Sequence, residues 1–448
     1  MKLFQHQIDV LESTKNENKV AYYLDMGLGK TYVGAKKMVQ LNNPVNLVIC
    51  QKSKVKDWIE HLMMYERHFK MIYDCTKWKG DDWKALTKNP SEPCVMVINY
   101  ELAWRRKQLL KLKDFTLMLD ESSLIQNKTA KQTKFILKLN AQNVILLSGT
   151  PTSGKYENLW TQVHLLGWDI SEALYNRQYI NWETIEVWQN FQKRKVKVVN
   201  KKNPYKNVER LKAKLRTHGA VFMKTEDVMS LPEQSFIEVK VPKSQMYTKF
   251  LKDGIITVDT LNLCEFKDHS DYEGKDVTPR VELVGDTTLT LHLYARQLCG
   301  QYSKDKLSAF KDLIDSTNDR LIVFYNFKDE LRRLIKVIGD RPYSVICGDE
   351  KNLDAYENED NSITFIQYQA GAMGLNLQKA NKVIYYSLPE RSELFEQSKK
   401  RIHRIGQDKP CFYYVMMCEK SIEEDIYEVL KLRKDYTDEL FIERFKRK

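Results

Sequence analysis

Short runs of β-branched and other apolar residues recur along this chain with amphipathic stretches between them, and that alternation restricts its fold more than any other feature. In the first half the runs cover residues 45–50, 94–98, 115–119 and 144–147. They are nearly continuously apolar, as strands covered on both faces require, and the intervals are long enough for helical crossovers between parallel strands. After a longer interval the pattern returns at residues 321–325, 343–346, 363–368, 383–386 and 412–416, again with helical stretches such as 329–337. Two parallel-sheet lobes of α/β class follow from this arrangement.

A length of 448 residues accommodates two or three domains of about 150 residues each. Hydrophobic residues at 42% and charged residues at 29% are ordinary values for a globular chain, and no run approaches the ~18 apolar residues of a membrane span. The start, MKLFQHQIDV, lacks the apolar stretch of a secretory signal, and the eight cysteines include no CxxC pair. No membrane association and a reducing compartment are therefore expected, the cytoplasm in a bacterial or phage-infected cell or the nucleus in a eukaryote. Lys and Arg number 72 against 60 Asp and Glu, and the excess of +12 favours an anionic partner. Residues 193–216 concentrate that excess, with eleven Lys or Arg and the single acid Glu209, although such a run serves equally as a solvated surface.

The most specific local signal is DMGLGKT, residues 25–31, between the apolar run 20–24 and an amphipathic stretch at 32–41. Asp25, Met26, Gly27, Leu28 and Gly29 form a turn whose backbone can approach phosphate oxygens. Lys30 then reaches the β and γ phosphates and Thr31 can hold Mg²⁺ at a helix N-terminus. A strict phosphate-loop spacing would place glycine where Leu24 stands. Asp120 and Glu121 follow the run 115–119, which sets two carboxylates at the carboxyl end of a strand, the edge where parallel sheets bind ligands. Asp120 suits Mg²⁺ and Glu121 suits an attacking water. Read alone the pair is equally a solvated loop, and the upstream phosphate loop is what singles it out. SGTP, residues 148–151, is a hydroxyl-rich turn after the run 144–147, able to bond the nucleotide side and a neighbouring segment, or simply to end a strand.

In the second half, QAGAMGLNLQKA (residues 369–380, with Gly374) is small and flexible enough for close approach to phosphate. EQSKKRIHRIGQ (residues 396–407) reads as a helix with Arg401 and Arg404 three apart on one face and Gln397 one turn earlier. Those guanidiniums suit a γ-phosphate, as arginine fingers do, or else belong to a basic solvated helix.

In order, and over nearly the whole chain, these residues resemble the Swi/Snf-type ATPases of helicase superfamily two. The resemblance includes LFQHQ at residues 3–7, LVICQKSKVKDW at 47–58, SGTPTSGKYENLW at 148–160, FMKTEDVMSLP followed by VPKSQMYTKF with Gln245 and Tyr247, AMGLNLQKA, and RIHRIGQ. It implies two RecA-like parallel-sheet lobes with helical insertions: an ATP-binding lobe at residues 1–228 with a helical protrusion at about 168–216, and a second lobe at 229–448 with another at about 240–300. Gln7 would contact adenine. Lys30, Asp120, Glu121, Gln397, Arg401 and Arg404 would carry catalysis, with Thr31 and Asp120 on magnesium, and Gly374 would join the phosphate loop in binding ATP. The basic segment 193–216 would bear on duplex phosphates. Two departures stand out: Ser122 and Ser123 follow Glu121 where the family usually has a closing His that couples to SGTP, and Leu24 and Asp25 stand where Asp-Glu usually precedes MGLGKT.

The activity implied is DNA-dependent ATP hydrolysis coupled to translocation on, or remodelling of, double-stranded DNA. A strand-separating or branch-remodelling helicase would use the same site, and a non-catalytic ATP-gated clamp would use part of it. A compact, Lys- and Asn-rich monomeric motor suggests a bacterial or bacteriophage source, with a nuclease or replication protein acting in trans.

Overall fold

The computed structural model describes residues 3–85, 92–152, 155–189, 192–200, 202–228, 230–259, 280–348, 350–371 and 375–441. The chain divides into two units, the second running from Pro232 to Lys431 and the first taking the remainder. Nine strands belong to the first: β1 (Lys19–Leu24), β2 (Val45–Cys50), β3 (Met71–Asp74), β4 (Cys94–Asn99), β5 (Thr116–Asp120), β6 (Asn143–Leu147), β7 (Trp182–Gln189), β8 (Gln192–Val199) and β9 (Ala220–Met223). Seven of them form one sheet in the order β3-β4-β2-β5-β6-β1-β9, every pair parallel.

The apolar runs make these strands because both faces are covered. Successive side chains point to opposite sides. Val48, Met118 and Ile145 pack with Val33 and Met38 of the helix α1 (Lys30–Leu41), while Leu47, Leu117 and Val144 pack with Tyr156, Leu159 and Val163 on the other side. Gly34 brings that helix close to the sheet, since a Cβ there would stand 2.9 Å from Leu147 Cδ1 and 3.0 Å from Met118 Sδ.

The second unit repeats the plan with β10 (Gln234–Val241), β11 (Ile255–Asp259), β12 (Arg280–Val284), β13 (Leu321–Tyr325), β14 (Tyr343–Ile346), β15 (Ile363–Gln367), β16 (Lys382–Tyr385) and β17 (Cys411–Cys418). Six of these pair in parallel in the order β10-β17-β16-β13-β15-β14. Ile322, Phe324 and Val383 line one core, and Leu321, Val323 and Ile384 line the other. The α/β expectation of two parallel-sheet lobes is what the chain forms. Among the described residues no helix is long and apolar enough to cross a membrane.

The intervals expected as helical protrusions are mixed. Residues 168–216 hold the helices Glu172–Tyr179 and Val208–Thr217, but between them β7 and β8 pair as an antiparallel hairpin. The cause is visible in the pattern: Ile185 sits opposite Val196 and Thr184 opposite Lys197, a period of two that a helix does not use. The second interval likewise pairs β11 with β12 between the helices Gln245–Asp253 and Thr288–Gly300, with residues 260–279 outside those described.

One charge pair is fully enclosed in the second unit. Lys306, with no exposed surface, donates to Glu423 Oε1, and Glu423 Oε2 accepts the Cys418 N–H at 2.9 Å. The thiols of Cys299 and Cys418 and the Glu423 carboxylate come within 4.8 Å of one another, and the Lys306 ammonium supplies the positive charge beside them. Removing one partner of such a pair strands the other in a poorly solvating interior. Lys306→Met is expected to destabilise the protein by about 3–5 kcal/mol in a urea denaturation experiment.

Candidate active site

Three strands that neighbour one another, β5, β6 and β1, end at the same edge of the first sheet, and each delivers one of the predicted segments there. From β1 the chain runs through residues 25–29 into α1. Gly27 and Gly29 take φ of 93° and 77°, the left-handed region that favours glycine. At Gly29 the space is also closed: a Cβ would stand 2.2 Å from Gln7 Nε2.

Gln7 lies on the helix Gln5–Ser13 and is buried. Its Nε2 donates to Leu28 O at 3.1 Å and its Oε1 accepts the Phe4 N–H at 3.1 Å, so the side chain braces the loop. His6 lies beside it, with Nε2 3.1 Å from the same Leu28 oxygen. Asp25 fixes the other end of the turn, accepting from Met26 N at 3.0 Å and from Thr225 Oγ1 at 2.9 Å. Lys30, the first residue of α1, folds back so that Nζ donates to Leu24 O at 2.9 Å and Asp25 O at 3.2 Å. Thr31 follows it in the first helical turn, where N–H groups have no partner within the helix.

Asp120 closes β5. Its Oδ2 accepts from Trp58 Nε1 at 2.8 Å, and Trp58, on the helix Val55–Met63 that follows β2, is itself buried. Burial raises the Asp120 carboxyl above its ordinary range; the Trp58 bond pulls it back, Glu121 pushes it up again, and Lys30 and Lys54 oppose that. Glu121 is a non-glycine residue at φ 56°, an arrangement that costs of order 1–3 kcal/mol and is held by its surroundings. Tyr100 donates its hydroxyl to Asp120 O at 3.0 Å from behind.

The SGTP turn supplies the remaining wall. Ser148 Oγ donates to Glu121 Oε1 at 2.6 Å, and Ser123 Oγ donates to the same oxygen at 2.9 Å. A Cβ on Gly149 would stand 3.3 Å from both Lys30 Nζ and Met26 Cγ, which puts this turn against the phosphate loop. Ser122 Oγ donates to Gln162 Oε1 at 2.7 Å, and Gln162 Nε2 donates to Pro151 O at 2.7 Å. Ser122 and Ser123 thus tie the carboxylate turn to SGTP by two routes, the first through Gln162 and the second through Glu121.

In the second unit the predicted arginines do not share a helical face. The helix Ser392–Lys399 stops before them, because Arg401 N bonds back to Ser398 O at 3.2 Å and the Arg401 carbonyl is taken by Leu377 N at 3.1 Å. Arg401 is buried, and Arg404 is half-buried with Nη1 3.3 Å from Leu375 O. Burial lowers the Arg404 pKa. Gln397, buried on the helix, donates to Glu393 Oε1 at 3.3 Å. Gly374 lies outside the described residues.

Residues 14–303 match the model of the SNF2-related domain, and residues 305–406 match that of the helicase conserved C-terminal domain. The chain belongs to the SNF2-related family. Among curated proteins this SNF2-related chain is similar to the Bacillus subtilis (strain 168) protein named "Putative ATP-dependent helicase/translocase YwqA", 24% identical over 93% of this chain and 46% of that one. It is also similar to the mouse SWI/SNF-related matrix-associated actin-dependent regulator of chromatin subfamily A member 1, 26% identical over 92% of this chain and 40% of that one. The chain therefore spans about half the length of these relatives. Among solved structures, the Sulfolobus solfataricus SWI2/SNF2 ATPase core in complex with dsDNA aligns over 98% of this chain and 92% of that one, at 18% identity and a TM-score of 0.44. Gln7 precedes the matched span, so its placement rests on the contacts described above.

Trp58, Tyr100 and Gln162 were not among the predicted site residues, and each acts through a partner distant in sequence that only the sheet order brings near. Trp58→Phe keeps an aromatic side chain, though a smaller one, and removes the donor to the part-buried Asp120 carboxylate. A loss of roughly 1–3 kcal/mol in denaturant-induced unfolding is expected.

Proposed function

We propose that this SNF2-related chain is a DNA-dependent ATPase that couples ATP hydrolysis to translocation on, or remodelling of, double-stranded DNA. The observation that carries the reading is the meeting of Lys30, the Asp120–Glu121 pair and the Ser148–Gly149 turn at three adjacent strand ends.

In this proposal the triphosphate replaces the Leu24 and Asp25 carbonyls as the partner of the Lys30 ammonium, and the turn containing Gly27 and Gly29 lets backbone N–H groups approach it. Thr31 and Asp120 would hold Mg²⁺, and a strand-end carboxylate with a hydroxyl in the first turn of the facing helix is a hard-oxygen donor set that fits such an ion. When bound, Mg²⁺ supplies neutralising charge to the phosphate oxygens. Glu121, with one carboxylate oxygen held by Ser148 and Ser123, is oriented to direct the other toward a water. That water attacks the γ-phosphorus, the bond to the β-phosphate oxygen breaks, ADP leaves, and the proton passes to Glu121. Because phosphoryl transfer is mostly a matter of positioning and charge stabilisation, Gln397, Arg401 and Arg404 are proposed to contribute during turnover, with the guanidiniums supplying positive charge to the γ-phosphate. Gln7 is proposed to serve adenine while bracing Leu28.

A strand-separating or branch-remodelling motor would use the same residues. The readings separate in steady-state ATP hydrolysis measured without nucleic acid and with duplex DNA, single-stranded DNA, branched DNA and duplex RNA. Stimulation mainly by duplex DNA is expected, and preference for branched or single-stranded DNA would replace translocation with remodelling or unwinding. Lys30→Ala is expected to lower turnover by about 10²-fold or more in every condition. Parental turnover in that variant would overturn the site assignment.

A further inference from the structure

The β7–β8 hairpin is absorbed by neither the nucleotide site nor the sheet. Its register places Lys195 opposite Glu186 and Lys197 opposite Thr184, so Lys193, Lys195 and Lys197 share one face. Alternate strand residues lie about 6.8 Å apart, which makes a straight row of three exposed ammonium groups about 14 Å long. Glu186 is the acid on this face, 3.9 Å from Lys193, and Lys197 Nζ lies 5.4 Å from the centroid of the Trp182 ring.

The opposite face carries the directly paired Ile185 and Val196, with Val198 beyond them. A one-residue slip would exchange the two faces, so it is the observed register that gathers the lysines. Arg210 and Lys214, one turn apart on the helix Val208–Thr217, add exposed positive charge after the hairpin. A narrow ribbon with a row of cations on one side matches the repeating charge of a nucleic-acid backbone, and two strands carrying phosphates offer the higher charge density.

The base of the hairpin is tied to the nucleotide site. Asn200 N bonds Asn181 O at 2.9 Å, closing the ribbon, and Asn181 N bonds Pro204 O at 2.8 Å. The adjoining Tyr205 stacks on Tyr156 with centroids 4.5 Å apart and donates to Glu157 Oε2 at 3.0 Å. From the same short turn Asn158 Nδ2 donates to Gln126 Oε1 at 3.1 Å, and Gln126 Nε2 donates to Pro151 O at 3.1 Å. Pro151 belongs to the SGTP turn whose Ser148 holds Glu121.

We propose that the lysine face of the β7–β8 hairpin contacts the phosphates of duplex DNA and that the hairpin base relays this contact to Glu121 through Tyr205, Glu157 and the SGTP turn. The relay rests on the ATPase reading of the site; the contact itself does not.

The test uses the full chain, a fluorescein-labelled duplex DNA and its single-stranded counterpart, with anisotropy across a salt series and ATP hydrolysis in parallel. In the triple variant Lys193→Ala/Lys195→Ala/Lys197→Ala the duplex Kd is expected to rise roughly tenfold or more, and the slope of log affinity against log salt to fall by up to about 2.7, the value for three lost phosphate contacts. Hydrolysis without DNA should stay at the parental level, which shows that the variant is folded. Tyr205→Phe should bind duplex as the parent does but lose several-fold of the stimulation. Parental affinity and salt slope in the triple variant would overturn the contact, as would a loss confined to single-stranded DNA. Parental stimulation in Tyr205→Phe would overturn the relay. A parent chain that binds duplex but never hydrolyses ATP would instead defeat the ATPase reading, and the binding arm would still judge the lysine face.

Discussion

The parallel pairing of β5, β6 and β1 is the constraint on which the first unit's chemistry depends. Parallel strands end at one edge, so a loop after each must face the same space, and the buried side chains on both faces of the sheet keep those ends from shifting. Lys30, Asp120 and Ser148 reach that space from residues far apart in the chain. The carboxylates are then held by neighbouring side chains: the indole of Trp58 on Asp120 and the hydroxyls of Ser123 and Ser148 on Glu121.

That arrangement bears on Ser122 and Ser123, which follow the paired acids where the resemblance leads one to expect a closing His. The histidine's place is taken by short hydroxyl side chains, and a short side chain must sit close to what it bonds. Glu121 adopts a left-handed backbone that turns its carboxylate back toward Ser123 and across to Ser148, while Ser122 reaches Gln162. Hydrogen bonds therefore link the turn after the paired acids to SGTP without a histidine, at the cost of one strained residue.

The strands and the glycine turn at residues 25–29 are legible because they rest on local signals: apolar runs bounded by turns, closely spaced glycines, and a Lys-Thr pair opening an amphipathic helix. What was not legible depended on partners distant in sequence. Trp58 closes the stretch LVICQKSKVKDW, but its bond to Asp120 emerges only once β2 is known to lie beside β5. The 401–404 segment reads as a helix because its spacing is helical, yet the Arg401 carbonyl is claimed by Leu377 and the helix ends at Lys399. The basic segment at 193–199 reads as a charge run, since its charge outweighs the short alternation of Val196 and Val198 with Lys195 and Lys197; the partner strand sits in Trp182–Gln189, across the turn.

The central claim is that Glu121 serves cleavage rather than nucleotide binding, and that the site held by Lys30 binds ATP independently of it. Rapid-quench measurement of a single turnover, with ATP binding followed in the same preparation and duplex DNA saturating, tests this directly through Glu121→Gln. The account predicts ATP affinity near that of the parent and γ-phosphate cleavage slowed by about 10²–10⁴-fold. Cleavage at the parental rate would contradict it.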